Sequence, residues 1–111
     1  MSLILGMPVR DVRRRYIYAV VESEANISES LFISALDEKV HFLYGVTGAT
    51  SMNVRLIEWD DEKQAAIVRV NHNRLNEMRA ALSHMSEIGG SEVRVDIRRV
   101  SGTIKTLKSK I

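Results

Sequence analysis

The chain contains no cysteine. That excludes disulfides and thiolate metal ligands together, so neither a disulfide-stapled secreted scaffold nor a cysteine zinc site is available to it. Histidine is scarce: His41, His72 and His84 stand far apart, with no HxH or HExxH spacing to converge on a metal. No apolar run approaches the roughly 18 residues needed to span a bilayer. The start, Met1-Ser2-Leu3-Ile4-Leu5-Gly6, has too short an apolar stretch and no basic flank for a signal peptide, so a cytoplasmic protein without membrane association is expected. The serines have neither a neighbouring base nor a nucleophile-elbow context, and Asp60-Asp61-Glu62 falls where a hairpin turn requires polar residues. No catalytic residue, no metal site and no cofactor bound by this chain are therefore expected. Aromatic residues make up only 5% of the sequence.

What is present is enough for one core. At 111 residues, 45% hydrophobic and 27% charged, the sequence fits a single globular domain, placed at residues 13–111 behind an N-terminal arm at 1–12. The formal net charge of +2 hides a strong segregation. Arg10 to Arg15 carries a net of +3, Arg98 to Lys110 carries +5 with no acid, and the stretch between them carries −6. Single-sign clusters of this kind attract polyanions, which makes nucleic acid or an acidic partner the first class to consider; solvated basic termini are the plainer reading.

Periodicity supplies the elements. Tyr16-Ile17-Tyr18-Ala19-Val20-Val21 reads as a strand. Asn26 with Glu29 resembles a capping box, and Phe32, Ala35, Leu36, Val40 and Leu43 recur at helical spacing up to Gly45, a stop signal. Met52 to Trp59 and Ala65 to Val70 form a hairpin around a polar turn. A second helix, capped by Asn71 or Asn73, carries Leu75, Met78, Leu82 and Met85 on one face and ends at Gly89-Gly90. Val93, Val95 and Ile97 alternate with Arg94, Asp96 and Arg98 in a strand with one wet face. Ile104, Leu107 and Ile111 mark a short C-terminal helix. The order predicts an α+β domain of ferredoxin-like βαββαβ plan: a four-stranded antiparallel sheet, two helices on one face, and a short helix after them.

Two nucleic-acid signals are weighed on this plan. Gly45-Val46-Thr47-Gly48 has the GxxG spacing of a clamping loop, but it is expected to join a helix to a strand and so reads as a cap and turn. An RNA-recognition platform needs aromatics on both central strands, and Ala65 to Val70 has none. Tyr16, Tyr18 and Val20 share one strand face and suit a protein interface. The basic ends remain. In Ser101-Gly102-Thr103-Ile104, Ser101 as N-cap would leave the N–H groups of Gly102, Thr103 and Ile104 facing outward, with Lys105 adding charge, a geometry that suits phosphate. Read alone it is an ordinary helix cap.

The set Arg15-Tyr16-Ile17, Gly45 to Thr50, Ile67-Val68-Arg69, Arg79-Ala80-Ala81-Leu82 and above all Val100 to Lys105 resembles the archaeal and eukaryal ribonuclease P protein component 2 family, over about Arg13 to Lys110. The resemblance implies a protein subunit of the ribonucleoprotein that removes 5′ leaders from precursor tRNA. In it the RNA, with Mg²⁺, holds the active site, and a barrel-shaped protein subunit is a partner. It makes Ser101, Gly102, Thr103 and Lys105 RNA-phosphate candidates, with Arg14, Arg15, Arg69 and Arg79 as further ones. Arg13, Arg98, Arg99, Lys108 and Lys110 join them on charge. A homodimer is a further possible assembly. Two other classes share the element order: a small-molecule-sensing regulatory dimer, and an acylphosphatase-like enzyme, against which the acidic Glu22-Ser23-Glu24 after the first strand argues.

Overall fold

The computed structural model describes residues 13–109 and 111; the arm expected at 1–12 and Lys110 lie outside the described residues. Strand β1 (Arg14–Glu22) is followed by helix α1 (Glu29–Met52), strands β2 (Arg55–Asp60) and β3 (Ala65–Asn71), and helix α2 (Leu75–His84). A two-residue pair, β4 (Glu87–Ile88) and β5 (Ser91–Glu92), leads into β6 (Arg94–Ser101) and helix α3 (Ile104–Ser109). The main sheet has the order β2-β3-β1-β6 with every neighbour antiparallel, as the βαββαβ plan predicts.

Alternation decides what each strand buries. Ile17, Ala19 and Val21 of β1 and Ala66, Val68 and Val70 of β3 point to one face, where Phe32, Leu36 and Val40 of α1 and Met78, Ala81 and Leu82 of α2 close over them. Phe32 stacks on Trp59 of β2 with ring centroids 5.1 Å apart. Each such large apolar side chain contributes about 1.5–3 kcal/mol by leaving water.

The structure corrects several local expectations. Gly45 does not end α1: its φ of 71° and ψ of −178° kink the helix, and a second helical segment runs on to Met52, which is fully buried. Glycine tolerates that positive φ at little cost, so the chain can turn and resume. Gly45 alone breaks the helix and Val46-Thr47-Gly48 belong to its second segment, so the GxxG is neither a clamping loop nor a turn into a strand, and β2 begins at Arg55 rather than Met52. Asn53, in the left-handed conformation, is the true C-cap, its N–H donating to Thr50 O at 3.2 Å. The N-cap is Ser28, not Asn26: its Oγ accepts from Leu31 N at 3.2 Å, leaving Glu29 outside a capping box.

Helix α2 has no side-chain cap from either asparagine; a 3₁₀ turn at His72–Arg74 introduces it, and Asn71 instead donates to Ser51 O at 2.8 Å. The helix ends at His84. Gly89 and Gly90, at φ 59° and 84°, form the β4–β5 turn, where two positive φ values match the twist of a tight hairpin and Ile88 is buried beside them. Gln64 was invisible to pattern reading. Its carboxamide accepts from Ile27 N at 2.7 Å and donates to Ile27 O at 3.0 Å, fastening the loop before α1 to the β2–β3 turn.

Candidate nucleic-acid interface

The sheet face away from α1 and α2 is built from the alternate residues of the same strands. Cross-strand pairing sets them in rows. Arg55, Arg69, Tyr16 and Ser101 lie side by side across β2, β3, β1 and β6. The next row is Glu58, Ile67, Tyr18 and Arg99, and the one after it Asp60, Ala65, Val20 and Asp96. Arg14, opposite Asn71, stands beyond the first row. Bulges in β2 between Leu56 and Glu58 and beside Tyr18/Ala19 in the β1–β6 pairing set this register.

The two ends of this face differ in charge. At one end the acids have partners: Glu58 Oε1 meets Lys108 Nζ at 2.7 Å, Asp96 and Glu22 flank Arg98, and Asp60 Oδ1 accepts from Glu62 N and Lys63 N at 3.0 Å. The hydrogen bond to Asp96 raises the Arg98 pKa, so that guanidinium stays charged. At the other end Arg14, Arg55 and Arg69 have no ion-pair partner among the described residues. The Nε atoms of Arg14 and Arg69 are buried without a hydrogen-bond partner there.

Helix α3 crosses part of this face, packing on β1 and β6. Leu107 is fully buried and Ala65 and Ile67 are nearly so, yet none of the three belongs to the main core cluster; they make a small second buried group. Tyr18, Ile67, Lys108 and Ile111 line the groove beside it. The cap of α3 is Thr103 rather than Ser101: Thr103 Oγ1 accepts from Thr106 N at 3.1 Å. Ser101 is still in β6, and its Oγ accepts from Thr103 N at 3.3 Å. The Thr103 N–H expected to face outward is therefore already occupied. Adjacent Ser and Thr offer alternative caps in sequence, and the strand pairing of Ser101 with Tyr16 decides between them.

The two basic ends of the chain do meet, because β1 pairs with β6 and sets Tyr18 against Arg99 and Tyr16 against Ser101. Arg15 Nη1 donates to Arg14 O at 3.0 Å and would lie 3.7 Å from a methyl group added at Gly102. Arg13 is exposed at the entry to β1, its carbonyl accepting from His72 N at 2.9 Å. Lys105 is exposed on the first turn of α3. Lys108 already has Glu58. Arg79 stands apart on α2, on the helix side of the sheet. Lys110 lies outside the described residues. The sequence pattern does not single out Arg55, because only the β2 register sets it opposite Arg69.

Among the described residues no three His, Asp or Glu side chains converge as a metal site, and no helix is long and apolar enough to cross a membrane. The hollow after β1, about 700 Å³, is lined by Glu22, Glu24 and Glu92 with Arg94, so its charge repels rather than cradles phosphate.

The chain is thus a small α+β domain whose open sheet face is basic at one end. Residues 15–111 match the Rpp14/Pop5 family, and the chain belongs to it. It is 35% identical over 98 residues to "Ribonuclease P protein component 2" of Thermococcus kodakarensis, covering 88% of this chain and 82% of that protein. It is 38% identical to the protein of the same name from Archaeoglobus fulgidus, covering 88% and 87%. Its fold is similar to that of a chain in a cryo-EM structure of yeast ribonuclease MRP, with a TM-score of 0.67 at 17% identity over 88% of this chain and 90% of that one.

Proposed function

We infer that this chain is a protein subunit of a ribonuclease P-type ribonucleoprotein, acting in the cytoplasm on the 5′ maturation of precursor tRNA. The observation that carries the reading is the meeting of two basic chain ends through the β1–β6 pairing, in a member of the Rpp14/Pop5 family. The catalytic RNA supplies the active site and binds the Mg²⁺. The protein supplies charge and shape. Arginine and lysine side chains neutralise phosphates that would repel one another as the RNA folds and takes up a second polyanion, its substrate, so the complex works with less divalent cation.

Protein partners, a barrel-shaped subunit among them, use apolar surface. Phe42 and Val46, both largely exposed around the Gly45 kink, are the most prominent such residues, and Tyr16, Tyr18 and Val20 offer a second, half-buried group. Lys39 stands over the Phe42 ring at 5.5 Å and so rims the first patch with charge.

The test is cleavage of a precursor tRNA by the reconstituted RNA and its other subunits, with and without this chain, across a magnesium titration. The expected result is activity at a lower magnesium concentration when the chain is present. Identical magnesium dependence would overturn the reading, and thermal stabilisation by amino acids but not by RNA would favour the small-molecule-sensing dimer instead.

A further inference from the structure

We propose that the arginine end of the sheet, Arg14, Arg55 and Arg69 around Tyr16, is a binding site for a single-stranded RNA segment, with one base stacked on Tyr16 and the flanking phosphates held by the arginines. The proposal rests on the reading of the chain as an RNA-binding subunit; it assigns the contact to the sheet rather than to the Ser101–Lys105 turn, and it takes Tyr16 out of the protein-facing group, leaving Tyr18 and Val20 there.

Three observations carry it. The first is charge without counter-charge. Four of the open-face acids, Glu22, Glu58, Asp60 and Asp96, sit at the opposite end of the face, engaged by Arg98, Lys108 and turn N–H groups. Arg55 and Arg69 stand directly opposite one another, and Arg14 is a diagonal neighbour of Arg69, so three like charges share one corner of a sheet. Like charges placed in this way repel, and an anion between them removes the repulsion.

The second is unsatisfied donors. The Nε groups of Arg14 and Arg69 are buried without an acceptor among the described residues. Both groups are closed to solvent as placed, so a phosphodiester meets them only as the half-exposed side chains swing outward; an unpaired buried N–H is costly, and guanidinium forks fit a phosphodiester well once they do.

The third is the division of labour between two tyrosines of one strand. Tyr18 lines the groove beside α3, under the second small core. Tyr16 lies two residues away, half-buried, between Arg69 and Ser101. One half-buried aromatic with arginines in its row and beyond it can take an unstacked base. A duplex keeps its bases stacked inside and offers an aromatic ring nothing to stack on.

The experiment measures binding of the full chain to a fluorescent 12-nucleotide oligouridylate, to an RNA duplex of equal length and to a poly-glutamate peptide, over a salt series. The single strand should bind at least about tenfold tighter than the duplex, with the peptide weaker than both. Replacing Arg55 and Arg69 together by alanine should lower single-strand affinity and flatten the slope of log affinity against log salt by about 1.4, since each phosphate contact on a single strand contributes about 0.7. Tyr16→Leu should cost roughly 5- to 150-fold without changing that slope, and Tyr16→Phe should restore it, because stacking on one base is worth about 1–3 kcal/mol. Thermal unfolding of each variant checks that it is folded; should Tyr16→Leu fail to fold, Tyr16→Phe against the arginine pair still tests the site.

Wild-type affinity and slope in the arginine pair would overturn the proposal. So would equal binding of duplex and single strand, or arginine-dependent binding of poly-glutamate as tight as that of RNA, which would assign the corner to an acidic protein partner. If the site fails these tests while the magnesium titration above still shows the expected gain, only the site is wrong; if both fail, the RNA-binding reading is wrong.

Discussion

On the helix side of the sheet, β1 presents Ile17, Ala19 and Val21; one residue along in each case, the other side receives Tyr16, Tyr18 and Val20. β3 divides in the same way, Ala66, Val68 and Val70 against Ala65, Ile67 and Arg69. The first set is sealed under two helices around Phe32 and Trp59. The second has α3 packed on part of it and carries arginine at one end. The comparison teaches that a period-two sequence can give two faces of the same strands different composition, one a core and one an arginine-bearing surface, because alternate side chains never share a face.

That separation can be broken from either side. Phe32→Ala removes the ring stacked on Trp59 from a fully buried site and should cost about 3–5 kcal/mol, read as a fall in the urea midpoint at unchanged slope. Leu107→Ala attacks the smaller core on the other face. A six-residue helix at the edge can re-seat itself, so about 2 kcal/mol is expected, with faster hydrogen exchange confined to α3. A loss of protection in α1 and α2 as large as that in α3 would show that the two cores are one. The smallest effect should come from Glu58→Gln, which leaves Lys108 without its carboxylate. The half-exposed pair is worth at most about 1 kcal/mol, and RNA affinity should rise slightly as a cation is freed. A fall in affinity would mean that Lys108 must be held in place to serve.

Much of this arrangement can be read in the sequence. The alternation of Val93 to Arg98 and the helical spacing of Phe32, Leu36 and Val40 correspond to burial that the structure bears out at Val95, Phe32, Leu36 and Val40. What escaped is whatever depends on a choice between equal local signals. Gly45 as a stop and Gly45 as a kink look identical until Met52 is seen to be buried beyond it. Gly89-Gly90 signals an interruption without saying whether a helix or a hairpin is being turned. Ser28 and Asn26, or Thr103 and Ser101, are equivalent caps on composition alone.

The candidate site escaped for a deeper reason. Arg55 and Arg69 are 14 positions apart in the chain, and a one-residue slip would send Arg55 to the helix side. Only the β2 bulge after Leu56 reconciles Leu56 in the core with Glu58 beside Lys108. The basic ends were visible as composition; their convergence required the order of the strands.

Trp59 is the only tryptophan in the chain, and it lies on the helix side, against Phe32. Excited at the red edge, where the three tyrosines do not absorb, the emission comes from this one ring and follows the loosening of the main core, with a whole sheet between it and the arginine corner. An RNA strand bound there has no direct contact through which to quench it. Unfolding can therefore be followed in the tryptophan signal while nucleic acid is present, with a label on the RNA reporting occupancy in a separate optical channel.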